Sequence, residues 1–125
     1  MKNEIKNFTR TKSVELWIED DIVMLRSIAE EIDIDDAHES YEIYLKLSNK
    51  LEGGKLFLID MGNTVKMSLE ARRFYKNITE VDKIAIIIRN PVHRIIAAFF
   101  HLISKAKTIP KFFNNIDDAK KWLKE

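Results

Sequence analysis

"KIAIIIRNPVHRIIAAFFHLI", residues 83–103, changes character twice within 21 residues. Ile84 to Ile88 runs without a polar break, which predicts a strand buried on both faces, as in the interior of a parallel sheet. Asn90 is a preferred helix N-cap, and Pro91 fits the first helical position, where its missing N–H costs nothing. The strand is therefore expected to end directly in a capped helix. In that helix Val92, Ile95, Ile96, Phe99, Leu102 and Ile103 share one stripe, expected to face the sheet. Phe100 falls beyond the stripe and Ala97 keeps the surface beside it shallow, so this pair is expected at an interface, a homodimer seam. Cover by Trp122 of the same chain is the competing reading.

The elements on either side follow the same logic. "VELWIE" alternates, with Val14, Leu16 and Ile18 on one face and Glu15, Trp17 and Glu19 on the other, and "IVMLRSI" returns after an acidic turn, which predicts a hairpin. A helix is expected from about Asp36 to Leu51, capped by Asp35 and stopped by Gly53-Gly54. "KLFLID" reads as an interior strand, and a second helix starts at Ser68, with Ala71, Phe74, Tyr75 and Ile78 inward and Arg72, Arg73 and Lys76 outward. "FF" at 112 is a short strand, and "NNIDDAKKWLKE" a last helix with acids first and lysines last. The order β-β-α-β-α-β-α-(β)-α predicts an α/β fold, a mixed sheet of four or five strands with about four helices. A polar segment, free to be flexible, is expected over 1–12, ahead of one domain over 13–125.

Composition narrows the function classes. With 46% apolar and 33% charged residues the chain fits one globular domain, and no run approaches the ~18 apolar residues of a membrane span. "MKNEIKNFTRTK" lacks the apolar core of a secretory signal, so a cytoplasmic protein is expected, without membrane insertion. The absence of cysteine excludes disulfides and thiolate chemistry. His93 and His101 lie eight apart, about 12 Å along a helix, too far to chelate one metal by themselves. The acids from Glu30 to Glu39 miss calcium-loop spacing, since counting from Asp33 puts Ala37 and His38 where an oxygen ligand and a glycine belong. No GxSxG, GxGxxG or P-loop occurs, so no enzyme, metal or cofactor is expected. Residues 1–62 carry 14 acidic and 8 basic side chains, and 63–125 carry 6 and 13, an asymmetry that can mark an anion-attracting surface or simply cancel in the fold. A sequence pI near 7.9 argues against nucleic acid.

Three stretches, "FLIDMGNTVKMSLEARRFY", "AIIIRNPVHRIIAAFFHLISK" and "KFFNNIDDAKKWL", carry a resemblance to the STAS domains of anti-sigma-factor antagonists and, more closely, to uncharacterised bacterial SpoIIAA-like domains. The resemblance covers roughly 13–124 and implies a regulatory or protein-interaction module with an unknown protein partner. Related CRAL-TRIO folds imply the alternative, a carrier or sensor of a small apolar or lipid-like ligand. In the antagonists a phosphorylated serine follows an aspartate at the start of the second helix. Here Ser68 stands at the aspartate's place, Leu69 at the serine's, and the glycine is missing, so Ser68 reads as an N-cap ahead of a phosphosite.

Ligands of open α/β sheets gather beyond the carboxyl ends of the parallel strands. That edge is expected to hold Asp60, Asn63, Thr64 and Ser68 after one strand and Arg89 and Asn90 after the next, as the binding site for a ligand or partner.

Overall fold

The computed structural model describes residues 4–96 and 110–125. Strands β1 (Lys6–Arg10), β2 (Val14–Glu19), β3 (Ile22–Ser27), β5 (Leu56–Asp60), β7 (Lys83–Ile87) and β8 (Lys111–Phe113) form one sheet in the order β1-β2-β3-β5-β7-β8. The first three pair antiparallel, and β3, β5, β7 and β8 run parallel. A two-residue pair, β4 (Glu31–Ile32) and β6 (Lys66–Met67), makes a separate parallel ribbon. The helices are α1 (Ile34–Ser48), α2 (Leu69–Lys76), the helical residues 91–96 (α3) and α4 (Ile116–Leu123).

Period-two alternation divides the sheet between two cores. Leu16, Val23, Leu25, Phe57, Ile84 and Ile86 point to the face covered by α1 and α2. There Tyr44 is fully buried and stacks on Phe57 with centroids 4.2 Å apart. Ile22, Met24, Leu58, Ala85 and Ile87 point to the other face, where α4 contributes Ala119 and Leu123. The mixed α/β class and the run of parallel interior strands are as the sequence predicts, and Asp20 and Asp21, both at positive φ, close the β2–β3 hairpin. Among the described residues no helix is long and apolar enough to cross a membrane.

Several expectations need correction. The strands number eight among the described residues, not four or five. The additions are β1, which is mostly exposed and has no apolar face, and the two-residue β4 and β6, which are too short for any periodicity. Within the polar segment 1–12, Lys6–Arg10 forms the edge strand β1, held against β2. Helix α1 begins earlier, at Ile34, because Asp33 and Asp36 close a reciprocal capping box, each carboxylate accepting the other's backbone N–H. It also ends at Ser48, ahead of the glycines, and the N–H groups of Glu52 and Gly53 instead donate to the Asp21 carboxylate at 2.9 Å.

The start of α3 has a different phase from the predicted stripe. His93 and Ile96 are the buried pair, whereas Val92 is 37% and Ile95 69% exposed. The His93 ring turns inward to meet the Arg89 N–H and the Thr64 carbonyl, and the 100° step per residue then carries Val92 and Ile95 outward. Ala97, Phe99, Phe100, Leu102, Ile103 and the expected homodimer seam lie outside the described residues.

The capping box makes a measurable demand: Asp33→Ala should lower unfolding free energy by about 1 kcal/mol, seen as a lower denaturant midpoint at unchanged m-value.

Candidate functional site

The carboxyl ends of β5 and β7 do bring most of the expected edge residues together. The Asp60 carboxylate ends β5 with its side chain 8% exposed, and Arg89 grips it with a two-pronged fork, Nε to Oδ1 at 3.1 Å and Nη2 to Oδ2 at 2.7 Å. Oδ1 also accepts the Gly62 N–H at 2.9 Å. Donating to the Asp60 carboxylate raises the pKa of Arg89 further, so the guanidinium stays charged at every ordinary pH. Gly62 must be glycine here: its φ is +48°, and a Cβ would lie 2.2 Å from the Ser27 carbonyl oxygen.

Beside this fork sits His93, which the sequence reading considered only as a metal ligand. It is fully buried. Its Nδ1 accepts the Arg89 backbone N–H at 2.8 Å, and its Nε2 lies 2.7 Å from the Thr64 carbonyl oxygen. A carbonyl can only accept, so Nε2 carries the proton and the ring is the neutral Nε2–H tautomer. Thr64, also buried, donates its hydroxyl to the Ala29 carbonyl at 2.8 Å and meets the Ser27 hydroxyl. Asn90 accepts the His93 N–H at 3.2 Å, and Ser68 caps α2 by accepting the Ala71 N–H at 3.1 Å. Asp60, Thr64, Arg89 and Asn90 therefore form one network around His93, Ser68 is occupied one helix away, and Asn63 stands exposed on the connecting loop. The signal for His93 was present in Asn-Pro-x-His: a residue three beyond the cap faces back toward it.

Two further features lie away from that edge. On the α1/α2 face a partly enclosed cavity of about 70 Å³ opens between the sheet and the end of α2. Leu25, Ile59, Ile84 and Ile86 form its floor, Met61, Met67 and Ile78 its sides, and Lys76 and Pro110 also contribute to its wall. Tyr75 borders it with its hydroxyl tied to Ser40 at 2.7 Å, and burial pushes this phenol up to about 12, so it stays protonated and serves as a hydrogen-bonding group. On the α4 face a row of charges crosses the strands in register: Arg10 opposite Glu15, Glu15 opposite Arg26, Arg26 opposite Asp60. The side chains of Glu15 and Asp60 are about a tenth exposed, while those of Arg10, Arg26 and Arg89 are 65%, 50% and 43% exposed. The Arg26 guanidinium lies 5.4 Å over Trp17, which stacks on Phe8.

Comparison with known proteins bears on fold and family. A family model described as a domain of unknown function, DUF7793, matches residues 16–125. Among solved structures the chain is similar to an uncharacterised protein of the DUF3478 family with a SpoIIAA-like fold from Shewanella loihica PV-4, at 19% identity and a TM-score of 0.56, covering 98% of this chain and 96% of that one. That likeness carries the SpoIIAA-like fold that the sequence resemblance implied. No curated protein matches.

The fork should act as a unit. Arg89→Ala is expected to cost about 1–2 kcal/mol, below the 3–5 of a fully buried pair because the guanidinium meets water. Asp60→Asn should cost less in the Arg89→Ala background than in the wild type, and a double-mutant cycle by denaturant titration measures the coupling at about 1 kcal/mol.

Proposed function

The chain belongs to the DUF7793 family, and we propose that it is a non-enzymatic, cytoplasmic binding module that takes a small apolar group into the cavity on its α1/α2 face, as a carrier or sensor. The cavity carries this reading. Its walls are mostly aliphatic or thioether side chains, joined by Tyr75 and Lys76 from the end of α2, and the Ser27 and Thr64 hydroxyls on its lining are turned to each other. An apolar space of this kind holds water poorly, because water there finds few partners. Left empty, 70 Å³ costs on the order of 2 kcal/mol at about 24 cal/mol per Å³, and each methylene brought in from water returns about 0.8 kcal/mol. The carboxyl edge offers less to a ligand, since Asp60, Arg89, Asn90, His93 and Thr64 already satisfy one another.

Methyl-resolved NMR with 1-hexanol tests this directly. The methyls of Ile59, Ile84 and Ile86 should shift in a saturable manner while those of Ile22 and Ile87, on the opposite face, stay still. Shifts spread over both faces, or none, would sink the cavity reading.

The arginine row supports a second reading, a protein-interaction module that presents three guanidinium groups on a carboxylate-backed rail. Its partner would be acidic. A partner captured by the wild type and lost with Arg26→Glu, at unchanged melting temperature, would support it, and retention of that partner by the variant would count against it.

A further inference from the structure

Resting on the cavity as the ligand's seat, we propose that the ligand is a short aliphatic carboxylate, its chain in the cavity and its head group at Lys76 Nζ. Among the described residues, the polar ones on the lining are Ser27, Thr64, Tyr75 and Lys76. Three of them are already committed: Ser27 and Thr64 to each other and to Ala29, and Tyr75 to Ser40. Lys76 differs. Among the described residues none of the ion pairs involves it, and no carboxylate is held against it.

A lysine that contributes its stem to an apolar wall keeps its ammonium in water, so the amine marks the mouth. Lys76 also stands in the last turn of α2, an eight-residue helix that carries Arg72 and Arg73 beside it and a single acid, Glu70. Arg73 lies within one turn of Lys76 and adds a second cation beside it, so the charge near the mouth favours an anion. The competing role for Lys76 is complementing the negative end of its own helix. That role needs no ligand, but it leaves an aliphatic cavity ending at a cation without explanation. The space has the volume of roughly five to seven waters, since one water needs about 10–15 Å³ of the same measure. A six-carbon chain with an anionic head suits both the volume and the charge.

Calorimetry with hexanoate, 1-hexanol and hexylammonium, followed by methyl NMR, separates this inference from the cavity reading beneath it. Hexanoate is expected to bind at least fivefold tighter than hexanol, with hexylammonium weakest, all shifting the Ile59, Ile84 and Ile86 methyls. Lys76→Gln should remove the preference for hexanoate and leave hexanol affinity unchanged. Equal affinities for hexanol and hexanoate would overturn the carboxylate assignment while the cavity reading stands. A preference that survives Lys76→Gln would overturn the role of Lys76. Failure of all three probes to bind would overturn both.

Discussion

Asp60 ends an interior strand with its carboxylate out of water, and a carboxylate in that position is tolerated only where a cation and N–H donors replace the lost solvent. Arg89 supplies the cation, and most else at this end of the molecule follows from where its backbone must then lie. With the guanidinium fixed, the Arg89 N–H faces His93, and His93 in its neutral tautomer reaches Thr64. The Thr64 hydroxyl passes the connection to Ala29 beyond the hairpin. Strand β5, strand β7, the first turn of α3, the loop after β5 and the end of β3 are thus linked by one chain of hydrogen bonds. A single weak link would leave a buried polar group without a partner, which costs more than the bond itself contributes.

Part of the uneven charge of the two halves of the sequence is paired across the fold. Arg89 with Asp60, Lys120 with Glu19 and Asp20, and Lys66 with Glu31 each join the basic second half to the acidic first. What remains outward includes the cations of α2 near the cavity and the guanidinium groups on the α4 face. The two faces therefore differ in chemistry as well as in cover. One offers volume, the other charge, which is why they support separate readings.

The strands that the sequence predicted best are those whose side-chain pattern is fixed by burial, such as Ile84 to Ile87 on both faces and Val14 to Ile18 on one. β1 escaped because an edge strand with Lys6, Asn7 and Arg10 exposed has no apolar period to read. β4 and β6 escaped because their pairing is a property of where the loops meet, not of two residues in isolation. The phase of α3 was misread for a more instructive reason. A histidine counts as polar in any periodicity argument, yet a neutral imidazole with both nitrogens bonded is as buriable as an isoleucine, and it took the inward place expected of Val92. The edge residues Asp60, Thr64, Arg89 and Asn90 were legible from topology alone. Their mutual pairing was not, because it depends on Gly62 letting the loop pass against the Ser27 carbonyl. The cavity left no mark in the sequence, since its lining is drawn from strands, loops and a helix end far apart along the chain.

The edge strand β1 also governs how this protein behaves among copies of itself. A flat, regular edge invites another chain to add a strand and so to seed aggregates. Here the register slips between Lys6 and Thr9, Asn7 sits at a positive φ of 57°, and Lys6 and Arg10 flank the irregularity with like charge. Incoming strands meet broken hydrogen-bond spacing and repulsion together, so Phe8, although 53% exposed, is presented on an edge that resists templating. The same irregular turn of chain makes β1 a poor template for the addition of a further strand.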